Sequence, residues 1–215
     1  MTTVQPVIPM LKRGDRYETY LTSCFHHIEK QEVTENITVY EPYLSTPTTK
    51  PFTKHHPSYY KLYHDSINEL LDYGSEHADY TWLLDVDIQP PPHALMTLLN
   101  HDADIAIGVT PFHNHRDIMM CGRQPRDATH GIIPRTYESL RTNIWTHEDN
   151  FAAGLYCVLI KKHVKTRIQY DGEHPGDTNY WYNTRRAGYT HVFDPTLVCG
   201  HLPQWPLQSY LDDPL

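Results

Sequence analysis

The residues best suited to chemistry stand at Asp85-Val86-Asp87, inside the run YTWLLDVDIQPPP of residues 80–92. Tyr80 to Leu84 read as a buried strand, and Pro90, Pro91 and Pro92 as a hard break after it. Two carboxylates at the end of a buried strand lose hydration that only a partner restores, and the natural partner is a cation. In an extended segment residues i and i+2 point to the same side, so both carboxylates face one cation while Val86 turns into the core. Hard oxygen ligands suit Mg²⁺ or Mn²⁺, and an ion held by few protein groups leaves room for phosphate oxygens. The same spacing also occurs in solvated turns. The buried strand in front of it is what favours a metal here.

Histidines and other carboxylates offer further candidates. His201 follows Gly200 at the end of the last strand-like run, and a neutral imidazole is a reasonable Mn²⁺ ligand. With 16 histidines in the chain, the ordinary place for any one of them is the surface. Asp177 precedes the helical stretch TNYW, where an aspartate serves well as an N-cap. The run His113-Asn114-His115 invites a metal or nuclease reading, but it has no glutamate or cysteine partners of its own.

Elements that would position these residues follow from periodicity. Residues 4–11 read as a first strand, and Asp15 as the cap of a helix to about Lys30. ITVYEPYL at 37–44 is a second strand, and the proline-rich stretch 45–57 is a connection. Ser58 opens a helix closing near Gly74, 80–87 is a third strand, HALMTLLNH a helix and 104–112 a fourth strand. Residues 113–150 show no clear long element and suit an acceptor or lid loop. Then come a strand at 151–162, a short helix in HVKTRI, a helix over 178–189 ending at Gly188, a final strand at 190–201 and a tail with little regular signal. The alternation of strands and helices in the first half predicts an α/β fold with a mainly parallel central sheet flanked by helices. Ligands in such sheets sit beyond the carboxyl ends of the strands, where Asp85 and Asp87 stand.

Length and charge narrow the field. A chain of 215 residues suits one sizeable core, and the expected organisation is one domain over 1–215. A net charge of −8 argues against sequence-independent nucleic-acid binding, which needs lysines and arginines on phosphates. Cys24, Cys121, Cys157 and Cys199 form no CxxC pair and read as reduced thiols. The N-terminus has no signal-peptide core and no stretch reaches the ~18 apolar residues of a membrane span, so a cytoplasmic protein is expected.

With these residues in view, the chain resembles a nucleotide-sugar-dependent glycosyltransferase with the GT-A fold, of the family 2 type. WLLDVDIQPPPHAL matches that family's pattern of apolar strand, DxD, proline and helix. IPMLKR is similar to its first strand end, FAAGLYCVLIKKHV to its small-residue strand, and GDTNYWYNTRRAGYTHVFDPTLVCGH to the segment usually written EDxDFxxRxRxxGY with a following strand and histidine. The resemblance runs from about Val4 to His201.

It implies a donor half over about 1–110 and an acceptor half with a tail over about 111–215. It further implies that Asp87 and His201 bind Mn²⁺ or Mg²⁺, with Asp85 assisting through the metal, a water or the donor ribose. Pro9, Lys12 and Arg13 would meet the base and phosphates, Glu41 the base, and Asn68 the donor; each also reads as a turn, a solvated face or a helix surface. Asp177 takes the place of the catalytic base, while Gly176, Asn179 and Asn183 depart from the Glu, Asp and Arg common beside it. The implied reaction is hexosyl transfer from a UDP- or GDP-sugar to a hydroxyl of a glycan, lipid or protein acceptor. Competing readings are a sugar-phosphate nucleotidyltransferase, a metal-dependent phosphohydrolase or nuclease, and a carbohydrate-binding protein that has lost turnover.

Overall fold

Trp82 and Leu84 point to one face of their strand and Leu83 to the other, and all three are fully buried. A strand covered on both faces belongs in the middle of a layered α/β protein. The computed structural model describes residues 1–10, 16–46, 57–112, 115–123, 133–136, 139, 144–146, 151–169, 176–202 and 206–212. The expected cap Asp15, most of the 45–57 connection, and His113 and Asn114 lie outside them.

The elements in order are β1 (Thr2–Ile8), α1 (Tyr17–Glu29), β2 (Ile37–Val39), β3 (Tyr43–Leu44), α2 (Pro57–His77), β4 (Tyr80–Leu84), β5 (Ile88–Gln89), α3 (Ala94–Asn100), β6 (Ile105–Val109) and β7 (Pro111–Phe112). They continue with β8 (His115–Arg123), β9 (Ile133–Thr136), β10 (Trp145–Thr146), β11 (Phe151–Ala153), β12 (Cys157–Lys161), α4 (Gly176–Arg186), β13 (His191–Val198), β14 (Gly200–His201) and α5 (Leu207–Asp212). The main sheet has eight strands in the order β10-β13-β6-β12-β4-β1-β2, with β3 also on β1. β1 runs parallel to β2, β3 and β4, and β6 parallel to β13. β12 is antiparallel to both its neighbours, β4 and β6, and β10 is antiparallel to β13. The result is the expected α/β layer with a mainly parallel central sheet flanked by helices.

Helices α1 and α3 cover one face through Cys24, Ile28, Leu95 and Leu98, against Trp82, Leu84 and Leu159. Helices α2 and α4 cover the other through Ile67, Leu70, Tyr180 and Trp181, against Leu83, Ile107 and Phe193. Trp82 and Trp181 carry the largest fully buried side chains among the described residues. Trp82→Ala is expected to cost about 3–5 kcal/mol, read from the shift in a urea denaturation midpoint. All four cysteines are buried and free. Among the described residues no helix is long and apolar enough to cross a membrane.

Several boundaries differ from expectation for identifiable reasons. β1 ends at Ile8, ahead of Pro9, and the 37–44 run is split at Pro42 into two short strands, both on β1. α2 continues past Gly74 to His77. There a Cβ would come within 2.3 Å of Thr81 Oγ1, so Gly74 allows helix and strand to touch rather than ending the helix. The 104–112 run divides into β6 and β7. The 151–162 run divides into β11 and β12, which lie in different sheets. HVKTRI forms no helix: Val164 N–H closes a turn on Lys161 O at 3.0 Å, and both backbone polar groups of Ile168 are bonded to the Asn68 amide at 2.9 Å. Within 113–150, β8 is a nine-residue strand that pairs with β7, β9 and β11 in a second sheet of four strands. The tail carries α5. α4 does close at Gly188: its φ of +84° is the left-handed conformation that glycine adopts freely. Tyr189 N–H donates to Thr184 O at 3.1 Å and Gly188 N–H to Arg185 O at 3.0 Å, satisfying the last carbonyls.

Candidate active site

β4 stops at Leu84, so the aspartates stand in a turn and not in extended chain. Ile88 N–H closes the turn on Asp85 O at 3.1 Å, and Asp85 Oδ1 accepts Val86 N–H at 3.0 Å. The expected alternation of side chains therefore does not operate here, although Val86 is buried as expected. Asp85 N–H donates to Tyr156 O at 2.9 Å. That contact follows from the reversed direction of β12, which brings Cys157 opposite Leu84 and the loop before it over the end of β4. Asp85 and Asp87 are only 4% and 5% exposed.

The short strands β5 and β14 pair antiparallel, with His201 opposite Ile88 and Gly200 opposite Gln89. Leu202 N–H donates to Asp87 O at 2.9 Å. This hairpin-like contact carries His201 to the aspartates. His201 is 2% exposed and its Nδ1 lies 2.8 Å from Pro111 O. A nitrogen facing a carbonyl must carry the proton and donate, so in the neutral ring Nε2 keeps its lone pair. Nε2 lies 3.7 Å from Asp87 Oδ2, beyond hydrogen-bond reach. An imidazole lone pair and a carboxylate turned toward one another are a donor set for a divalent cation, and the Nδ1–H···O=C bond is the support that orients such a ligand. Among the described residues no group of three or more His, Cys, Asp or Glu side chains converges as a complete cage. Asp87 and His201 could supply two ligands to such an ion.

The three prolines have a structural role of their own. Lacking N–H groups, they offer only carbonyl acceptors. His27 Nδ1 meets Pro90 O at 3.1 Å, Gln31 Nε2 donates to Pro91 O at 2.9 Å and Glu32 N–H to Pro92 O at 2.8 Å. Gln31 Oε1 also accepts Leu95 N–H at 2.9 Å, in the first turn of α3. The end of α1 thus clamps the exit of the aspartate turn. Burial, followed by the charges of His26 and Lys30, holds the His27 imidazole below its ordinary pKa of 6.5 despite the Pro90 bond, which acts the other way. The unfolded chain then takes up the proton first. Stability from this group is complete above pH 6.5 and is lost as pH falls from there through the lower folded value. The urea midpoint of the native protein is expected to fall between pH 7.5 and pH 5 by more than that of His27→Gln, in paired denaturation curves.

Beneath the turn lie Tyr17 and Cys24, which sequence reasoning did not single out. Burial first, and then the charge of Asp85, pushes both up so that they stay protonated. Tyr156 was missed as well. Its ring rests on Gly154, where a Cβ would meet it, and lies 6.2 Å from the His201 ring. The glycine in FAAGLY was the available signal.

The remaining candidates are distributed as follows. Asp177 is half-buried in the first turn of α4. That helix is tied to β11 by Trp181 Nε1–H donating to Ala153 O and by Arg185 Nη1–H donating to Phe151 O at 2.9 Å. β11 in turn leads through Gly154 to Tyr156 and the aspartate turn. Asn179 is buried and Asn183 half-buried on the same helix. Pro9 is buried just beyond β1, where Met10 N–H donates to Ser45 Oγ at 2.8 Å. Glu41 has an exposed side chain, and its carbonyl accepts Gln5 Nε2–H at 2.8 Å. Asn68 clamps Ile168, giving Nδ2–H to its carbonyl and taking its N–H on Oδ1, both at 2.9 Å. Lys12 and Arg13 lie outside the described residues.

No family model and no curated protein matches this chain. Solved structures do share its fold. A197 from STIV superposes with a TM-score of 0.53 at 15% identity, over 94% of this chain and 86% of its own. S. aureus TarS 1-349 superposes with a TM-score of 0.50 at 10% identity, over 92% of this chain. The chain spans 59% of that structure's length. These likenesses are likenesses of fold.

Proposed function

We propose that this chain is a metal-dependent glycosyltransferase of the GT-A type, moving a hexosyl group from a UDP- or GDP-sugar to an acceptor hydroxyl on a glycan, lipid or protein. One observation carries the reading. His201, fixed by Pro111 O at 2.8 Å, faces Asp87 at 3.7 Å at the strand ends of a glycosyltransferase-like fold. Asp87 and His201 would hold Mn²⁺ or Mg²⁺, and Asp85 supports the turn that presents them. The bound ion would neutralise the donor diphosphate as it leaves. Pro9, Lys12, Arg13, Glu41 and Asn68 belong to the donor half, about residues 1–110, and the rest of the chain serves the acceptor. In the transfer, the bond from the anomeric carbon to the diphosphate oxygen breaks with its electrons on the diphosphate. The acceptor oxygen bonds to that carbon, and its proton passes to the Asp177 carboxylate.

Gly176, Asn179 and Asn183 favour a second reading, a carbohydrate-binding protein without turnover, because they alter the surroundings of the proposed base. Nucleotide release from a panel of UDP- and GDP-sugars with Mn²⁺ separates the two. Release from one donor supports the transferase. Donor binding without release supports the silent protein, and neither binding nor release sinks both.

A further inference from the structure

The amide of Gln89 joins three elements around the Asp87–His201 pair. Its Oε1 accepts Leu207 N–H at 2.8 Å, and its Nε2 donates to Ser23 Oγ at 2.8 Å. Its backbone pairs with Gly200 across β5 and β14. A Cβ on residue 200 would stand 2.3 Å from Leu207 N, so the first residue of α5 lies directly on the Gly200 backbone. Gln89 therefore closes a ring: across the strand pair to Gly200, up to Leu207, and back through its own side chain. Arg116 Nη2–H, donating to Ser209 O at 2.7 Å, holds the far side of α5 to β8. Of the two side-chain bonds of Gln89, one anchors α1 and the other α5. The strand pair between them holds Asp87 two residues before Gln89 and His201 one residue after Gly200.

We infer that Gln89 is a positioning residue that fixes the register of the β5–β14 pair, and with it the approach of His201 to Asp87. This rests on the donor-site reading above. Ligand-holding side chains depend on such outer partners: the carboxylate and imidazole need a fixed separation for both to reach one ion. Gln89 touches neither of them and acts through the two strands.

The test compares the native protein with Gln89→Met, which keeps the length but not the hydrogen bonds, Gln89→Glu, and Asp87→Asn. Two quantities are read: amide hydrogen exchange at Ile88, His201 and Leu207 without metal, and binding of Mn²⁺–UDP and Mn²⁺–GDP by titration calorimetry. Gln89→Met is expected to speed exchange at all three amides and to weaken the bound Mn²⁺–nucleotide by about tenfold or more. Gln89→Glu, whose carboxylate accepts from both Leu207 N–H and the Ser23 hydroxyl, is expected to restore the protection. Unchanged exchange in Gln89→Met, or faster exchange with unchanged affinity, overturns the positioning role. A native protein that binds neither complex, like Asp87→Asn, overturns the donor-site reading itself, and with it any role for Gln89 toward that site.

Discussion

Asp87→Ala is expected to lower Mn²⁺-dependent nucleotide release from the cognate sugar donor by about 10²–10³-fold, the usual loss when one preorganised group that stabilises transition-state charge is removed. The carboxylate is 5% exposed and stands 3.7 Å from His201 Nε2. Without it, one imidazole remains to hold the ion. The backbone contact from Leu202 N–H to Asp87 O, at 2.9 Å, does not depend on the side chain, so the strand pair should survive. The Asp87→Asn variant checks this: it keeps the shape and removes the charge. Its release should fall like that of the alanine variant, while its melting temperature stays close to native. Asparagine matches the carboxylate in size, and the backbone bonds that hold the turn do not involve the side chain. If both variants release nucleotide at the native rate, the Asp87–His201 pair is not the metal site.

The second large effect is expected at Asp177. Asp177→Asn should reduce acceptor-dependent transfer by about 10²–10⁴-fold, the range for removing a general base. Donor binding should be unchanged. The plain alternative is that Asp177 serves only the start of α4, where a negative charge in the first turn contributes about 0.3–1 kcal/mol. Asparagine keeps the shape and removes the charge, so a structural role predicts a drop in stability with transfer intact. Single-turnover transfer measured beside thermal melting separates the two. Loss of transfer with a native melt assigns the base, and native transfer with a lowered melt assigns the helix start.

Much of the fold was legible because the signals are local. The apolar run Tyr80–Leu84, the prolines after it, the 3.6-residue spacing of α2 and the glycine closing α4 each express short-range sterics or periodicity, so strand, break, helix and cap could be read directly. The division of 151–162 was not legible. Both halves are apolar, and periodicity does not say that β11 joins one sheet and β12 another. β8 was hidden for a similar reason: its histidine, two arginines and aspartate mask a strand whose buried apolar residues, Met119 and Cys121, are few.

By itself, the sequence determined that a buried strand delivers two aspartates to a proline-bounded break; the expected final strand over 190–201 instead divides into β13, ending at Val198, and β14 (Gly200–His201) in another sheet. Only the tertiary structure decided that the aspartates sit in a turn held by Tyr156 O, and that β12 runs backwards to place that carbonyl. Only it seated His201 on Pro111 O, 90 positions away in the chain, and bound Gln89 to Leu207, 118 positions away. The physical reason is the range of the interactions. Hydrophobic alternation and turn chemistry are set by neighbours along the chain. A ligand pair is set by which distant backbones find each other once the core has formed, and no local pattern encodes that pairing.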